Sequence, residues 1–297
     1  MKKVKPSKVA IIISTFNQEK LLEINLNSIL DKTNYKDYKI FLIDDSGKGE
    51  IGRKIKKKFK SIDVTINLKN KGFSKSNNLG IKRALKFYNP DYFLLLNDDT
   101  EVIDADWLKK MVLEGEKDSQ IGVLGCKIIY PDGSLQNVGG YIKKWEIAKE
   151  LEGSRKKVFE VDHVMGAFML IKREIINKVG YLDETYSPYL LEDTDYCLNV
   201  KKKGFKVVSV PYVSIIHKKG KSIDSLDKGE VMKVRMRNDI YFTIKNLLGW
   251  KKFFRLFIYL PMVAIFRKRK DENSLNLKNF KLRKDFLRNL FIYLHSF

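Results

Sequence analysis

The feature that most constrains the fold is a pattern repeated in the first 100 residues, in which an apolar run stops at a polar loop and helical periodicity follows. The apolar runs are Val9–Ser14, Tyr38–Ile43, Val64–Leu68 and Tyr92–Leu96. Mostly apolar runs of this length are typical of parallel strands buried on both faces, and the helices between them predict right-handed crossovers. The sequence therefore predicts an α/β fold with a mostly parallel sheet, and all four polar loops along one edge.

Two adjacent carboxylates, Asp98 and Asp99, follow the fourth run. Open α/β sheets bind ligands at the carboxyl ends of their strands, and neighbouring carboxylates repel each other unless a cation offsets their charge. A divalent ion that holds a diphosphate would fit, because Mg²⁺ prefers one or two carboxylates together with phosphate oxygens. Taken alone, the pair could equally form an acidic turn that caps the next helix, near Asp104 or Asp106.

The second half of the chain predicts a less regular arrangement. Its helices are expected at Arg173–Val179 and Leu191–Lys203. The highly charged stretch 143–157 is interpreted as a flexible loop over the site. The strands are expected at Gly122–Tyr130 with a hairpin partner at Gln136–Tyr141, at Val161–Ile171, and as two closing strands at Lys206–Val210 and Val213–His217.

Composition limits the class of protein. A chain of 297 residues with 44% hydrophobic content can bury a large core. Its formal charge of +22 favours nucleic acid, anionic lipid or phosphorylated substrates as partners, without choosing among them. Cys126 and Cys197 have no CxxC spacing, which predicts buried reduced thiols and a cytoplasmic protein. The apolar run Val9–Ile13 is shorter than the roughly 7–15 residues of a signal-peptide core, so it is interpreted as the first strand.

The C-terminal region is basic and rich in aromatic residues. Met232–Leu248 predicts a basic helix, and the mostly apolar stretch Phe253–Phe266 is shorter than the roughly 20 residues needed to cross a bilayer. Residues 245–297 carry 13 Lys and Arg against three acids, a net charge of +10. This mixture predicts helices that lie on anionic lipid. The alternative is a helix that packs on the catalytic core with a solvated basic face.

Polar residues in the strand-ending loops form a candidate nucleotide site. Hydroxyls and an aromatic ring suit a nucleoside, carboxylates can accept hydrogen bonds from a base or ribose, and a glycine lets the backbone approach a ligand. We expect the contacts to be Ser14, Thr15, Phe16, Asp44, Asp45, Gly72, Asn77 and Asn78, beside Asp98.

A general base is expected where the second half meets this edge. Glu192 and Asp193 begin a predicted helix, and a carboxylate within reach of an acceptor hydroxyl can take its proton. His217 ends the last predicted strand, where it could ligate a metal or touch phosphate. Each also has a simpler interpretation, because acids often begin helices and histidines often lie on surfaces.

Eight segments carry a family resemblance when they are taken in order. They are VAIIISTFNQ, FLIDDSG, NKGFSKSNNLGI, LLLNDDTEV, GAFMLIKRE, GYLDETY, LEDTDYCLNVKKKGF and IIHKKGKS. The series resembles the family 2 glycosyltransferases with the Rossmann-like GT-A fold, nearest to their rhamnosyltransferase-like branch. The resemblance implies a catalytic domain at 1–227, with a nucleotide-binding half (1–100) and an acceptor-binding half (101–227). The helical extension at 228–297 would follow it.

The resemblance also implies a reaction, namely inverting transfer of a sugar from a nucleotide-diphospho-sugar to a hydroxyl of a glycan or lipid-linked acceptor. Asn97 stands where the family's first acid often lies, so Asp98 and Asp99 would share that role. On the acceptor side we expect Gly166 and Glu192 to support the site. The implied roles are nucleotide binding by Ser14, Phe16 and Asp45, Mg²⁺ or Mn²⁺ binding by Asp99 with His217, and proton abstraction by Asp193.

Two other functions remain open at this point. A nucleotidyltransferase would usually carry a Gly-rich basic phosphate loop near the first strand, which Ser14–Lys20 lacks. A non-catalytic basic protein could bind anionic surfaces or nucleic acid through the +22 charge, although the positive charge is densest in the tail while acids cluster at the strand edge. We expect a cytoplasmic enzyme that contacts the inner face of the cell membrane and does not bind nucleic acid.

Overall fold

The structure is a computed structural model that describes residues 6–142, 149–150, 156–218, 228–259 and 288. Its strands are β1 (Val9–Thr15), β2 (Tyr38–Asp44), β3 (Asp63–Ile66), β4 (Tyr92–Leu96), β5 (Thr100–Val102), β6 (Ile121–Ile129), β7 (Leu135–Asn137), β8 (Gly140–Tyr141), β9 (Lys149–Glu150), β10 (Phe159–Glu160), β11 (Phe168–Lys172) and β12 (Lys206–His217). Its helices are α1 (Glu19–Lys32), α2 (Glu50–Lys58), α3 (Phe73–Phe87), α4 (Trp107–Lys117), α5 (Arg173–Val179), α6 (Glu192–Lys202), α7 (Lys228–Asn246) and α8 (Gly249–Phe254), with a 3-10 turn at Glu184–Tyr186 and a π-helical turn at Arg255–Tyr259.

A ten-stranded sheet organises the chain, in the order β10-β12-β6-β11-β4-β1-β2-β3, with β5 beside β12 and β7 beside β6. β1 pairs in parallel with β2 and β4, and β2 with β3. β11 is antiparallel to both β4 and β6, and β12 is parallel to β6. The ends of β1, β2, β4 and β12 and the start of β11 therefore lie along one edge of the sheet.

Two apolar layers cover the sheet, one on each face. Alternate residues of β1 belong to different layers, with Val9, Ile11 and Ile13 in one and Ala10 and Ile12 in the other. The first layer includes residues of α1, α2 and α4, and the second includes residues of α3, α5 and α6. This two-sided burial explains why the strands are continuous apolar runs without alternation.

Most predicted elements are confirmed, and several differ from the structure. The predicted strand Val161–Ile171 divides into two parts, because Val161 still donates its N–H to the Val207 carbonyl of β12 (2.9 Å) but the chain then turns, and β11 begins only at Phe168. The two predicted closing strands form one strand, β12. Its pairing register shifts between Val210 and Ser214, and this irregularity accommodates Pro211, which lies between the two predicted strands. The short strand β5 was not predicted.

The hairpin prediction is confirmed in part. β7 pairs antiparallel with β6, but Gly140 and Tyr141 pair with β9 instead. The predicted flexible loop at 143–157 lies largely outside the described residues. Both cysteines are free and buried, as predicted, and burial raises the pKa of each thiol.

The C-terminal extension begins with α7, which confirms the predicted basic helix with slightly different bounds. α7 packs on the rest of the chain, since Tyr241 and Phe242 form a buried cluster with Tyr186. The rest of the predicted apolar stretch, beyond residue 259, lies outside the described residues. Among the helices that are described, none combines the length and the apolar character that a membrane span requires.

Candidate active site

The polar loops converge on the predicted edge of the sheet. Asn97 follows β4 directly, and its N–H donates to the carbonyl of Ala167 just before β11 (3.1 Å). His217 is the last residue of β12 and pairs with Thr100 of β5. These contacts bring the loop after β4, the start of β11 and the end of β12 together, although 70 residues separate Asn97 from Ala167 and 50 separate Ala167 from His217.

Asp99 and His217 form a buried contact at this edge. His217 Nε2 lies 3.1 Å from Asp99 Oδ1, and the two residues are only 6% and 5% exposed. His217 Nδ1 lies 3.0 Å from Gln136 Oε1, which can only accept a hydrogen bond, so Nδ1 carries the proton in the neutral ring. Nε2 then presents a lone pair to a carboxylate oxygen, an arrangement that a shared cation or proton would stabilise.

Asp98 has a strongly perturbed carboxyl group. Burial, followed by the charge of Asp99, raises the pKa of Asp98 from 3.8 to about 7. Its Oδ2 is buried and has no hydrogen-bond partner among the described residues. A carboxyl group in this position is stabilised as an anion when positive charge lies beside it.

This donor set fits a divalent ion that is shared with a substrate. Asp99 supplies a carboxylate, His217 supplies a ring nitrogen whose other nitrogen is oriented by Gln136, and Asp98 lies next in sequence. Within the described part of the chain, no group of three or more His, Cys, Asp or Glu side chains could hold a metal by itself. The remaining ligands would therefore have to come from outside the protein, as is usual for Mg²⁺ at phosphate sites.

Asp45 orders the loop between β3 and α3. Its carboxylate accepts hydrogen bonds from the N–H groups of Lys71 (3.0 Å) and Gly72 (2.9 Å) and from Asn67 Nδ2 (2.7 Å). The side chain is 3% exposed. The predicted nucleotide contact at Asp45 thus coincides with a residue that already holds this loop to the end of β2.

Asp44 has a different set of partners from the predicted one. It is fully buried, and it accepts hydrogen bonds from the Ser46 N–H (3.0 Å), the Ser46 hydroxyl (2.6 Å) and the Gly52 N–H (2.7 Å). Both carboxylate oxygens are therefore used inside the protein, where they stabilise the start of α2. This geometry favours a structural role for Asp44 over the predicted contact with a nucleotide.

Gly72 approaches another part of the backbone, whereas the sequence predicted a close approach to a ligand. Its φ of 80° and ψ of 174° lie in a region that essentially only glycine adopts. A Cβ here would lie 2.5 Å from Pro188 Cα, and the neighbouring Phe73 N–H donates to the Pro188 carbonyl (2.8 Å). The requirement for glycine is explained by this junction between the two halves of the predicted catalytic domain.

Of the remaining predicted nucleotide contacts, two are partly exposed and two are buried. Ser14 and Phe16 are partly exposed, and Thr15 is buried. Asn77 Nδ2 donates to the Phe73 carbonyl (2.9 Å) and lies 3.4 Å from Ser14 Oγ. Ser14 and Phe16 are thus the accessible side chains at the end of β1, and Asn77 supports them from α3.

Asn78 has a structural role. Its amide donates to the Leu182 carbonyl (2.8 Å) and accepts from the Leu182 N–H (3.0 Å). It therefore ties α3 to the segment before the 3-10 turn.

Asp193 is held in a fixed orientation at the start of α6. Its Oδ2 accepts a hydrogen bond from the Gly166 N–H (2.8 Å), and its Oδ1 accepts from the Thr194 N–H (2.6 Å) and hydroxyl (3.2 Å). A Cβ on Gly166 would lie 3.4 Å from the Asp193 carboxylate. The side chain is only partly buried, so a carboxylate with a defined direction remains accessible to a hydroxyl.

Glu192 is buried beside Asp193 and behaves differently. Burial, followed by the charge of Asp193, raises the pKa of Glu192 well above its usual value. Of the two acids that the sequence offered as bases, Asp193 has the more suitable geometry, since Glu192 is buried and the rise in its pKa disfavours its ionised form. His163 lies nearby in a similar state, since burial lowers its pKa.

Sequence reasoning missed three polar residues that support this edge. Asn67 binds Asp45, Gln136 binds His217, and Asn238 of α7 binds the loop before Asp193. Asn67 could have been found, because it directly follows a strand, but the predicted strand extended through Leu68 and hid it. Gln136 and Asn238 lie 81 and 48 or more residues from their partners, and no local pattern marks them.

Comparison with known proteins identifies the family and several relatives of this chain. The sequence model described as glycosyl transferase family 2 matches residues 10–180. The chain is 24% identical over 224 residues to the O-antigen biosynthesis protein RfbC of Myxococcus xanthus, covering 71% of this chain and 17% of RfbC. It is 24% identical over 153 residues to the low-salt glycan biosynthesis hexosyltransferase Agl10 of Haloferax volcanii, covering 50% of this chain and 49% of Agl10. The chain thus spans less than half the length of the curated relatives it matches.

Solved structures support the fold. The crystal structure of GalNAc-T7 with UDP, GalNAc and Mn²⁺ matches with a TM-score of 0.62 at 18% identity, covering 84% of this chain and 54% of that one. At this identity the likeness concerns the fold alone. It confirms the predicted GT-A architecture, with a central sheet flanked by helices.

Proposed function

This chain belongs to glycosyl transferase family 2, and from that premise we propose that it transfers a sugar from a nucleotide-diphospho-sugar to a hydroxyl group. The observation that carries the proposal is the arrangement at one sheet edge. There, the buried Asp99–His217 contact and an oriented, accessible Asp193 carboxylate flank the start of β11. A leaving diphosphate and an attacking hydroxyl need these two kinds of group on opposite sides of the sugar.

The proposed reaction is a single displacement with inversion. Asp193 takes the proton of the acceptor hydroxyl as its oxygen forms a bond to the anomeric carbon, and the bond from that carbon to the diphosphate oxygen breaks. The electron pair leaves with the diphosphate. Hydrogen bonds from Gly166 and Thr194 fix the direction of the Asp193 carboxylate. One essential carboxylate suffices because no covalent enzyme intermediate forms.

Asp99 and His217 would hold a divalent ion, Mg²⁺ or Mn²⁺, which when bound supplies positive charge to the departing diphosphate. Asp98 lies beside them. Ser14 and Phe16 are the side chains best exposed for the nucleoside, while Asp45 keeps the neighbouring loop in place. The Mn²⁺ in the structure of GalNAc-T7 supports the choice of ion class.

The acceptor is proposed to be a glycan or a lipid-linked saccharide. The names of RfbC and Agl10 place those relatives in O-antigen and glycan biosynthesis, which supports a role in building surface polysaccharide. The resemblance to the rhamnosyltransferase-like branch makes a nucleotide-diphospho-rhamnose the first donor to test.

Donor binding is the direct test. A panel of nucleotide-diphospho-sugars should be titrated calorimetrically into the wild-type protein and Asp99→Ala, with Mg²⁺, Mn²⁺ or EDTA. We expect one donor to bind only with metal, and Asp99→Ala to weaken that binding more than about 100-fold, beyond the roughly 10–100-fold typical of residues that only support a metal ligand. Asp132→Ala, on an exposed turn, is the matched control.

Failure of every donor to bind a folded wild-type protein, under all metal conditions, would contradict the proposal. Retention on heparin without nucleotide binding would instead favour the basic non-catalytic protein. Equal affinities of wild type and Asp99→Ala would remove the metal role from Asp99 and leave the donor site to be located elsewhere on the edge.

We also propose peripheral contact with anionic lipid at the cytoplasmic face of the membrane. Of the 12 large hydrophobic side chains that are exposed in the described residues, five lie between 248 and 258. Lys251 is exposed beside them and Lys252 is partly exposed. The combination of exposed aromatic side chains and lysines is typical of a segment that lies in a membrane interface. The five are Leu248, Trp250, Phe253, Phe257 and Ile258.

Vesicle flotation tests this contact. The wild type should float with vesicles of phosphatidylcholine and phosphatidylglycerol at low salt, and much less with phosphatidylcholine alone. The double variant Trp250→Ala/Phe253→Ala should lose most of this binding, whereas Leu113→Ala, exposed elsewhere, should not. Equal flotation of both variants would place the contact outside this segment.

A further inference from the structure

The segment that leads into Asp193 has an unfavourable backbone conformation. Residues 186–191, the approach loop, connect the 3-10 turn to α6. Leu190 and Leu191 have positive φ angles of 81° and 75°. Branched side chains rarely adopt such angles, so two in succession persist only where other contacts hold them.

Asn238 of α7 supplies such contacts. Its Nδ2 donates to the carbonyls of Tyr186 (2.9 Å), Tyr189 (2.8 Å) and Leu190 (2.8 Å). The side chain is 1% exposed, so these carbonyls meet an amide where they would otherwise need water. One buried side chain thus gathers three backbone carbonyls of the approach loop.

Arg237 fixes the direction of that amide. Its Nε and Nη2 donate to Asn238 Oδ1 (3.0 and 2.8 Å), which leaves the Asn238 NH₂ group facing the loop. Arg237 Nη2 also donates to the carbonyls of Ser187 and Tyr186. The pair Arg237–Asn238 therefore acts as one hydrogen-bonding unit.

The rest of α7 is attached on both sides of the approach loop. Lys245 Nζ bonds to Asp183 Oδ2 (2.6 Å) before the loop and to Asp195 Oδ2 (2.7 Å) after it, in α6. Asn246 Nδ2 donates to Asp195 Oδ1 (2.7 Å). The position of α7 is therefore set by the same elements that flank the loop, so that Asn238 has a fixed reference.

The approach loop connects directly to the groups of the proposed reaction. The Leu191 carbonyl accepts the Asp195 N–H (2.9 Å) in the first turn of α6, which also carries Asp193. On the other side, the Pro188 carbonyl accepts the Phe73 N–H beside Gly72. A displacement of the loop would therefore move the Asp193 carboxylate relative to Gly166 and to the nucleotide-binding half.

We propose that Asn238 is a positioning residue for catalysis, which holds the approach loop in its left-handed conformation and so sets the direction of the Asp193 carboxylate. This inference rests on the proposed function. It also assigns α7 a role in the acceptor-binding half, whereas the sequence predicted a helical extension that follows the catalytic domain. A shift of about 1 Å in a reacting group can cost on the order of 10²-fold in rate, so the effect should appear in kcat.

Steady-state kinetics of Asn238→Ala and Asn238→Asp, with the donor found to bind the wild type, test the proposal. Asn238→Asp keeps the shape but removes both donors and places an anion against three carbonyls. We expect kcat to fall at least about tenfold in both variants, while the calorimetric donor affinity stays within about twofold. Loss of packing alone would spare Asn238→Asp.

The matched control is Thr243→Val. Thr243 is equally buried on α7, but its hydroxyl donates to the Asp239 carbonyl (2.7 Å) and accepts from Arg255 Nε (3.0 Å), within the extension. It should lower the melting temperature and leave kcat within about twofold. If an Asn238 variant does not fold, Arg237→Met takes its place, because methionine keeps the apolar stem of the arginine. Its kcat should also fall, though by less than expected for the Asn238 variants.

The outcomes separate the two levels of the proposal. A wild type that binds donors but transfers no sugar to any acceptor would overturn the proposed function. An active wild type with Asn238→Asp at more than half its kcat would overturn the positioning role alone. Equal losses in kcat for Thr243→Val and the Asn238 variants would reduce Asn238 to a contributor to fold stability.

Discussion

Asp98 and Asp99 are positioned by the backbone of the sheet, whereas the loop that leads into Asp193 is held by side chains from a distant part of the chain. The two acids follow β4, which is hydrogen-bonded to β1 on one side and β11 on the other. Asp193 follows the approach loop, whose carbonyls are gathered by Asn238 from α7.

The metal side (Asp98, Asp99 and His217) and the base side (Asp193) should therefore be sensitive to different substitutions. Backbone hydrogen bonds in a sheet survive most substitutions, so the metal side should fail mainly when its ligands, or Gln136 that orients His217, are altered. The base side depends on single buried polar groups, and removal of one partner leaves several buried carbonyls unpaired. We therefore expect remote substitutions to affect the base side more than the metal side.

Removal of the base should give the largest effect. Asp193→Asn keeps the shape of the side chain but loses the proton acceptor, so kcat should fall by roughly 10²–10⁴-fold. Donor affinity, measured by calorimetry, should stay nearly unchanged because the donor is bound on the other side of the site. Steady-state rates of sugar transfer provide the measurement.

Glu192→Gln is the matched control for this prediction. Burial raises the pKa of Glu192 and disfavours its ionised form, so its amide should lose less than about tenfold in kcat. If Asp193→Asn kept more than about a tenth of the wild-type turnover, Asp193 would not be the base. A larger loss in Glu192→Gln than in Asp193→Asn would exchange their roles.

The nucleotide-binding half of the fold could be predicted because strands that are buried on both faces form recognisable apolar runs in the sequence. β1, β2 and β4 are continuous apolar runs, and each ends within one residue of its predicted bound. Strand β5 has three residues and no such run, so it was missed. Val164 is apolar and buried but lies in a loop before β11, because burial in a loop and burial in a strand favour the same residues.

The site itself could be predicted only as far as strand ends and helix starts mark it. Asp99, His217 and Asp193 stand at such places, and the structure brings Asp99 and His217 into contact. Gly166, which the sequence marked as a supporting residue, donates its N–H to Asp193, but the more distant supporting residues escaped prediction. Asn238 and Gln136 act across long sequence separations, and a buried polar side chain has no periodicity that distinguishes it from any other.

A second prediction concerns the stability of the metal-free protein, measured in EDTA. Asp98 ionises near 3.8 in the unfolded chain, but in the folded protein its pKa is about 7. Between these values the folded state binds more protons, so the free energy of unfolding falls as pH rises from about 4 to about 7 and then levels off. Asp98→Asn lacks this titration, and should be more stable than the wild type at pH 8 by roughly 2–4 kcal/mol.

Denaturant unfolding from pH 4 to pH 8 measures this difference, which should shrink towards pH 4. Asp132→Asn is the control, since hydrogen bonds from Ser134 lower the pKa of this exposed carboxyl and its titration lies outside the window. Parallel stability curves for the wild type and Asp98→Asn would show that Asp98 is ionised in the metal-free protein. Repulsion between Asp98 and Asp99 would then have to be offset by other groups on the metal side.

The smallest predicted effect tests the junction between the two sides. Gly72→Ala places a Cβ 2.5 Å from Pro188 Cα and forces a side chain into a region that essentially only glycine adopts, at a cost of roughly 1–3 kcal/mol. Gly133→Ala, also at positive φ but with nothing within 4 Å, controls for backbone strain. Because Pro188 belongs to the approach loop, Gly72→Ala should lower kcat more than Gly133→Ala does. Equal kcat values for the two variants would mean that the loop shifts without moving Asp193, and that the base side is less sensitive than its single side-chain contacts suggest.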